Sequence, residues 1–210
     1  MTHTCVHDKQ SAILDAAHKR FARFGLAKVT MDEIAADLGI SKAALYYYFP
    51  TKEDIFRRVV ATEQQAFVTR IESIVRGEGK ASKKLEGYFE EHLRLLGSLL
   101  DLRIIEVRAR DSVKPIMRDL FREFSATNIA PLASILLQGK KGSEFFIDSP
   151  DATAELIHHV LQGLRIRFFK SLSGREPAGA DVRAYRAEVM GFLDILLNGI
   201  SHQRNGVKQP

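Results

Sequence analysis

Apolar positions recur every three or four residues along most of this chain, and no alternating strand pattern persists. The pattern predicts an all-α protein of about nine helices. A first helix is expected from about Lys9 to Phe24, with Leu14, Ala17, Phe21 and Phe24 on one stripe. Two short helices follow, then a long one from Lys52 with Val60, Gln64, Phe67, Ile71 and Ile74 on one side. Gly77-Glu-Gly-Lys80 ends it. A fifth helix is expected over Ala81 to Leu100, a sixth over Leu102 to Arg110, and a seventh from Pro115 to Gln138. Pro131 sits inside the seventh and should kink or break it. Gly139 to Gly142 reads as a loop, and Phe145 to Asp148 as a short stretch able to be extended. An eighth helix starts at Ser149-Pro150-Asp151, and a last one spans about Ala178 to Asn198.

The densest local signals lie between Thr30 and Lys52, TMDEIAADLGISKAALYYYFPTK. Thr30 followed three residues later by Glu33 is a capping box. Ile34, Ala35 and Leu38 form an apolar face, and Gly39 occupies the position past the helix end where φ turns positive. Ile40 reads as buried within the turn. Ser41 caps the next helix, Leu45 and Phe49 face inward four residues apart, Pro50 stops it, and Thr51 caps the one after. Two helices joined by so short a turn cross steeply, which leaves the second free to enter a major groove with its N-terminal residues foremost.

This stretch, with Ile13, Leu14, Ala16, Ala17, Phe21 and Gly25 before it, resembles the TetR family of bacterial transcriptional regulators. The matching residues continue through Thr30, Ile34, Ala35, Leu38, Gly39, Ser41, Leu45, Tyr46, Phe49, Pro50 and Lys52, in order and without gaps. The resemblance is strong over Lys9 to Phe67 and weak beyond. It implies a three-helix helix-turn-helix head over residues 7–67, with the DNA-binding motif at 30–49, and a helical ligand-binding and dimerisation body over 68–203.

The resemblance also implies that Lys42, Ala43, Ala44, Tyr46, Tyr47 and Tyr48 form the DNA-facing surface. Lys42 is the candidate for reading a base edge, and Ala43 and Ala44 offer only apolar contact. Many members carry a glycine and then Thr, Ser or Asn at those two places, so readout here is expected to lean on Lys42, Tyr47 and DNA shape. Tyr46 and Tyr48 are expected to donate to phosphate, and one of them to share its ring with the core. Lys52 is expected to meet phosphate as a point charge, with Thr30 and Ser41 adding neutral contacts.

The last two long helices carry a second signal. Ile157, Leu161, Leu164 and Phe168 repeat at helical spacing after Ala154, and Tyr185, Val189, Phe192 and Leu196 do the same. A separate stripe of small residues, Ala180, Ala184, Ala187 and Gly191, permits close approach of another helix. Two such helices per subunit make a four-helix bundle across a two-fold axis. Both stripes are also compatible with burial in a monomer core, but the resemblance favours a homodimer through these helices.

The apolar middle of the chain supplies candidate pocket or core residues: Leu93, Leu96, Leu100, Ile104, Val107, Arg108, Ile116, Met117, Leu120, Phe121 and Phe124. By resemblance they enclose a small apolar ligand whose binding shifts the spacing of the two heads. His92, Arg103, Arg108, Arg110, His158, His159, Gln162 and Arg165 lie in or near apolar segments and are available to anchor a polar head.

Composition adds little to this picture. A net charge of +5 suits an anionic partner without requiring one. Cys5 is the single cysteine, so no intrachain disulfide forms, and no segment is apolar enough for a signal peptide or a bilayer span; a reduced cytoplasm is the expected home. No phosphate loop, nucleophile elbow or metal-spaced histidine pair occurs. The expectation is therefore a non-enzyme without cofactor or metal. Its partners are an operator duplex, a second copy of itself and a small apolar ligand, with no membrane. It is read as a repressor that leaves a (pseudo)palindromic operator when the ligand binds. An enzyme with a helical apolar cavity, and a nonspecific architectural DNA protein, are the competing readings.

Overall fold

A computed structural model describes the backbone of residues 2–102, 114–172 and 175–201, and the side chains of residues 9–102, 128–172 and 175–201. Among the described residues every regular element is a helix: α1 Thr2–Lys28, α2 Met31–Asp37, α3 Lys42–Tyr48, α4 Lys52–Arg76, α5 Ala81–Asp101, α6 Lys114–Lys141, α7 Pro150–Ser171 and α8 Gly179–Ile200. The helix expected over Leu102 to Arg110 lies outside the described residues apart from Leu102 itself.

The chain forms two compact units. The first comprises Met1–Ala66, Leu95–Arg122 and Gly174–Glu176; the second comprises Phe67–Arg94, Glu123–Ser173 and Pro177–Pro210.

In the first unit the inward stripe of α1 is Ile13, Ala17 and Phe21, one residue out of register with the expected one at its start. Leu14 is half-buried, and Phe24 is exposed beneath the Arg23 guanidinium, 5.1 Å from the ring centre. Regular α1 geometry breaks at Gly25, where φ is 76° and ψ 153°, immediately past the predicted end. The Phe21 ring meets Phe56 of α4 edge-on at 5.4 Å, in a core that also buries Ile34, Leu45, Ile55 and Val59.

In the second unit α7 packs on α8, and Phe67, Leu85, Phe89, Leu132, Leu136, Phe145, Leu161 and Val189 fill the interior. The predicted break at Pro131 does not occur. α6 runs through it to Lys141, so residues 139–141 are helical rather than loop. Proline removes one hydrogen bond to the preceding turn, but Leu132, Ile135 and Leu136 directly after it are buried and hold the helix on course. Gly139 lies inside α6, two residues before its end, and a side chain there would strike the buried Phe145 ring at 2.1 Å, so the packing of Phe145 against the helix requires glycine.

Long-range side chains close several helix ends here. The Glu144 carboxylate accepts from the amides of Ala81 (2.9 Å) and Ser82 (3.2 Å) and caps α5. Burial pushes this carboxyl up, but those amides and the Ser82 hydroxyl together outweigh it and hold the group below the usual carboxylate range. At the end of α4, Lys84 Nζ and Gln138 Nε2 both donate to the Val75 carbonyl, at 3.1 and 3.2 Å.

Candidate nucleic-acid interface

The turn between α2 and α3 is built by local chemistry. Thr30 Oγ1 accepts the Glu33 amide at 3.3 Å while the Thr30 amide donates back to Glu33 at 2.8 Å, a complete capping box. At the other end of α2, Gly39 has φ 62°; its amide donates to Ala36 O and the Ile40 amide to Ala35 O, at 3.2 and 3.1 Å. That 5→2 and 6→1 pair is a Schellman motif, which requires the left-handed residue between them. Ile40 is half-buried rather than enclosed. Ser41 Oγ accepts the Ala44 amide at 3.1 Å and starts α3. Phe49 ends it in an extended conformation, φ −139° and ψ 116°, as a residue before proline must be.

The orientation of α3 follows from Leu45 and Phe49, both buried. Its opposite side carries Lys42, Ala43, Tyr46 and Tyr47 in solvent, with Tyr47 83% exposed. Ala44 and Tyr48 are half-buried, and the Tyr47 and Tyr48 rings meet edge-on at 5.3 Å. Of the three tyrosines, Tyr48 is the one that shares its ring with the interior.

Three predicted contact residues are already engaged. Lys42 Nζ lies 2.9 and 3.0 Å from the two Asp32 carboxylate oxygens and 6.0 Å from the Tyr46 ring centre. Its hydrogen bond to Asp32, reinforced by that negative charge, raises the Lys42 pKa. The hydroxyl and amide of Thr30 both donate to Glu33 Oε2. Lys52 is half-buried, and its ammonium donates to the carbonyls of Leu26 (2.9 Å), Ala27 (3.3 Å) and Val29 (2.9 Å). The geometry makes Lys52 a clip between the start of α4 and the chain leaving α1. Arg20 is a second clip that sequence reasoning missed: from α1 it grips both Asp37 oxygens at 2.5 and 2.7 Å and approaches Glu33 at 3.4 Å. Arg20 is the main reason Asp37 lies below its usual pKa. No periodicity signals such a bond across 17 residues.

In the second unit the predicted interface residues separate into two groups. Ile157, Leu161 and Phe168 are buried within the protomer and so belong to the chain's own core, whereas Leu164 is half-buried. The strongest apolar repeat goes to the strongest burial. The outward side of α7 instead presents Leu156 (63% exposed), His159, Gly163 and Ile166. On α8, Ala180, Ala184 and Ala187 are exposed and Gly191 half-exposed, in line with Ile195, which is 73% exposed. Of the predicted pocket residues, Leu96 is buried and Leu93 and Leu100 are half-buried. The side chains of Ile104, Val107, Arg108, Ile116, Met117, Leu120, Phe121 and Phe124 lie outside the described ones.

Comparison with known proteins converges on this motif. Residues 13–59 match the family model described as bacterial regulatory proteins, tetR family. The crystal structure of a transcriptional regulator from Cytophaga hutchinsonii ATCC 33406 superposes with a TM-score of 0.85 and 31% identity, over 92% of this chain and 99% of that one. The nucleoid occlusion factor SlmA of Marinomonas sp. is 26% identical over 154 residues, 62% of this chain and 78% of its own. The fatty acid metabolism regulator protein of Bacillus subtilis is 26% identical over 136 residues, 65% of this chain and 70% of its own. A capped helix-turn-helix whose second helix turns one face to solvent, on a chain 31% identical to a transcriptional regulator over 92% of its length, leaves one assignment: this protein belongs to the TetR family of DNA-binding transcriptional regulators.

Proposed function

We propose that this regulator is a homodimeric repressor that leaves a (pseudo)palindromic operator when a small, largely apolar ligand binds its second unit. The observation that carries the reading is the solvent face of α3, where Lys42, Ala43, Tyr46 and Tyr47 stand clear of the core on a helix fixed at both ends. Lys42 reads a base edge after exchanging Asp32 for DNA, the alanines meet a thymine methyl, and the tyrosine hydroxyls donate to phosphate. Ser41 contributes at the helix start, whereas Lys52 and Thr30 act by holding the frame. Dimerisation uses the exposed small-residue stripe Ala180, Ala184, Ala187 and Gly191 with Ile195, against the outward side of α7. A two-fold dimer brings two α3 helices to successive major grooves when they lie about 34–36 Å apart. Ligand binding that favours another separation releases the operator.

Selection of bound sequences from a random duplex pool tests the reading. A palindromic consensus with half-sites one helical turn apart is expected, with a two-to-one protein-to-duplex stoichiometry. Ala184→Glu is expected to yield monomers by light scattering and to lose the paired half-site. Enrichment of no consensus, or of a single half-site by a monomer, contradicts the reading.

A further inference from the structure

The exposed cations of the first unit differ in how their backbones are held. Lys9, Lys19 and Arg23 lie on the regular turns of α1, and Arg57 and Arg58 on those of α4. Lys28, the last residue of α1, follows the break at Gly25 and lies between Leu26 and Val29, both buried. Its side chain is exposed, with no hydrogen-bond or ion-pair partner among the described residues. Two other lysines of the motif are occupied, Lys42 by Asp32 and Lys52 by three backbone carbonyls.

Two sets of contacts tie the chain around Lys28 to the two ends of α3. Lys52, the first residue of α4, binds the carbonyls of Ala27 (3.3 Å) and Val29 (2.9 Å), the residues on either side of Lys28. Four residues after Lys28, Asp32 holds Lys42, the first residue of α3, at 2.9 and 3.0 Å. The stretch from Lys28 to Asp32 reaches at most about 14 Å. α3 itself has seven residues and is about 10 Å long. Lys28 is therefore anchored alongside the recognition helix, close to both of its ends, with its ammonium left in solvent.

We propose that Lys28 is a phosphate contact flanking the recognition helix: with α3 in the major groove, its ammonium meets the backbone of a bordering strand. The inference rests on the α3 reading above and adds a residue to it. A major groove about 12 Å wide is filled by a helix about 10–12 Å across, so a residue beside that helix faces a phosphate ridge rather than a base. Lysine suits such a place, because a compact charge on a flexible stem needs no fixed angle to its acceptor. Lys28 also has no carboxylate to give up, unlike Lys42, so its contact releases a DNA counterion without breaking an ion pair. The clip on Ala27 and Val29 holds the backbone in advance, which confines the ordering cost to the side chain.

The test uses the full chain and two labelled duplexes, one enriched from the random pool and one of random sequence, with anisotropy read across a salt series. Lys28→Gln is expected to make the slope of log affinity against log salt shallower by about 0.9 per protomer, about 1.8 for a dimer. At ~0.1 M salt that is a loss of roughly tenfold or more. Both duplexes should weaken alike, because phosphate carries no sequence information. Lys28→Arg should keep the slope. Lys19→Gln, the same loss of charge nine residues earlier on α1, should leave it unchanged. The melting temperature of Lys28→Gln should match the wild type. A lowered melting temperature with an unchanged slope assigns Lys28 to the α1 dipole instead and overturns the proposal. An equal change of slope in Lys19→Gln, which reports bulk charge, overturns it too, as does a loss confined to the enriched duplex, which reports base reading. In those cases the wild-type protein still binds DNA and the α3 reading stands, whereas a wild-type protein that binds neither duplex refutes both.

Discussion

Replacing Lys52 by methionine separates two roles for one residue. The substitution keeps most of the aliphatic stem and deletes the ammonium that donates to Leu26, Ala27 and Val29 carbonyls at 2.9, 3.3 and 2.9 Å. One hydrogen bond from a charged donor contributes about 1.5–3 kcal/mol. The three bonds here share one charge on a half-buried side chain, so they do not add, and water replaces part of what is lost. A net loss of about 2 kcal/mol is expected, and for a chain of this length that lowers Tm by about 4–8 °C. Differential scanning calorimetry measures it. Fluorescence anisotropy with an operator duplex across a salt series then asks whether the residue also touches DNA. A phosphate contact contributes about 0.9 to the slope of log affinity against log salt, hence about 1.8 for two subunits. The clip predicts a lower Tm with an unchanged slope. An unchanged Tm with a slope shallower by about 1.8 refutes it and returns Lys52 to the DNA.

Further outcomes follow from other contacts. Lys42→Ala is expected to weaken operator binding by roughly tenfold or more and to broaden the selected consensus, whereas Asp32→Asn, which frees Lys42, should tighten binding to random duplex more than to operator in the same gel-shift series. Gly39→Ala has open space for its methyl, so its penalty is the left-handed φ alone, about 1–2 kcal/mol, and Gly39→Asn should recover part of the lost Tm. Glu33, Asp37 and Glu144 all have lowered folded-state pKa values, through the Thr30 amide for Glu33, the Arg20 bond for Asp37, and amide capping that outweighs burial for Glu144. Their stabilisation is present above the unfolded carboxylate range and disappears as pH falls through the lowered values; Glu144→Gln should flatten that acid limb in a pH series of melts, and an unaltered limb argues against the cap.

What the sequence encoded legibly is what lies within four residues. The Thr30–Glu33 box, the Gly39 turn, the Ser41 cap and the Phe49–Pro50 stop are all local, and each is present as read. What it hid depends on distant segments meeting. The Lys52 clip spans 23–26 residues and Glu144 caps a helix 62–63 positions away, so no periodicity announces either. The same limit explains the α7 stripe. Spacing identifies the most apolar side of a helix, which is the side its own fold claims, while the outward face of Leu156, His159, Gly163 and Ile166 mixes residue types and gives no clear pattern. In α1 a one-residue offset from Leu14 to Ile13 was enough to misplace Phe24.

The Asp32–Lys42 pair bears on how such a protein travels. A bare lysine at the tip of a recognition helix clings to any stretch of chromosome through its counterions. If Lys42 meets DNA as proposed, it arrives with the Asp32 carboxylate already in place, so each landing on an irrelevant sequence trades one anion for another and gains little. On that reading, dwell times on wrong sites shorten, and the hunt for the right one is governed by fit rather than by charge.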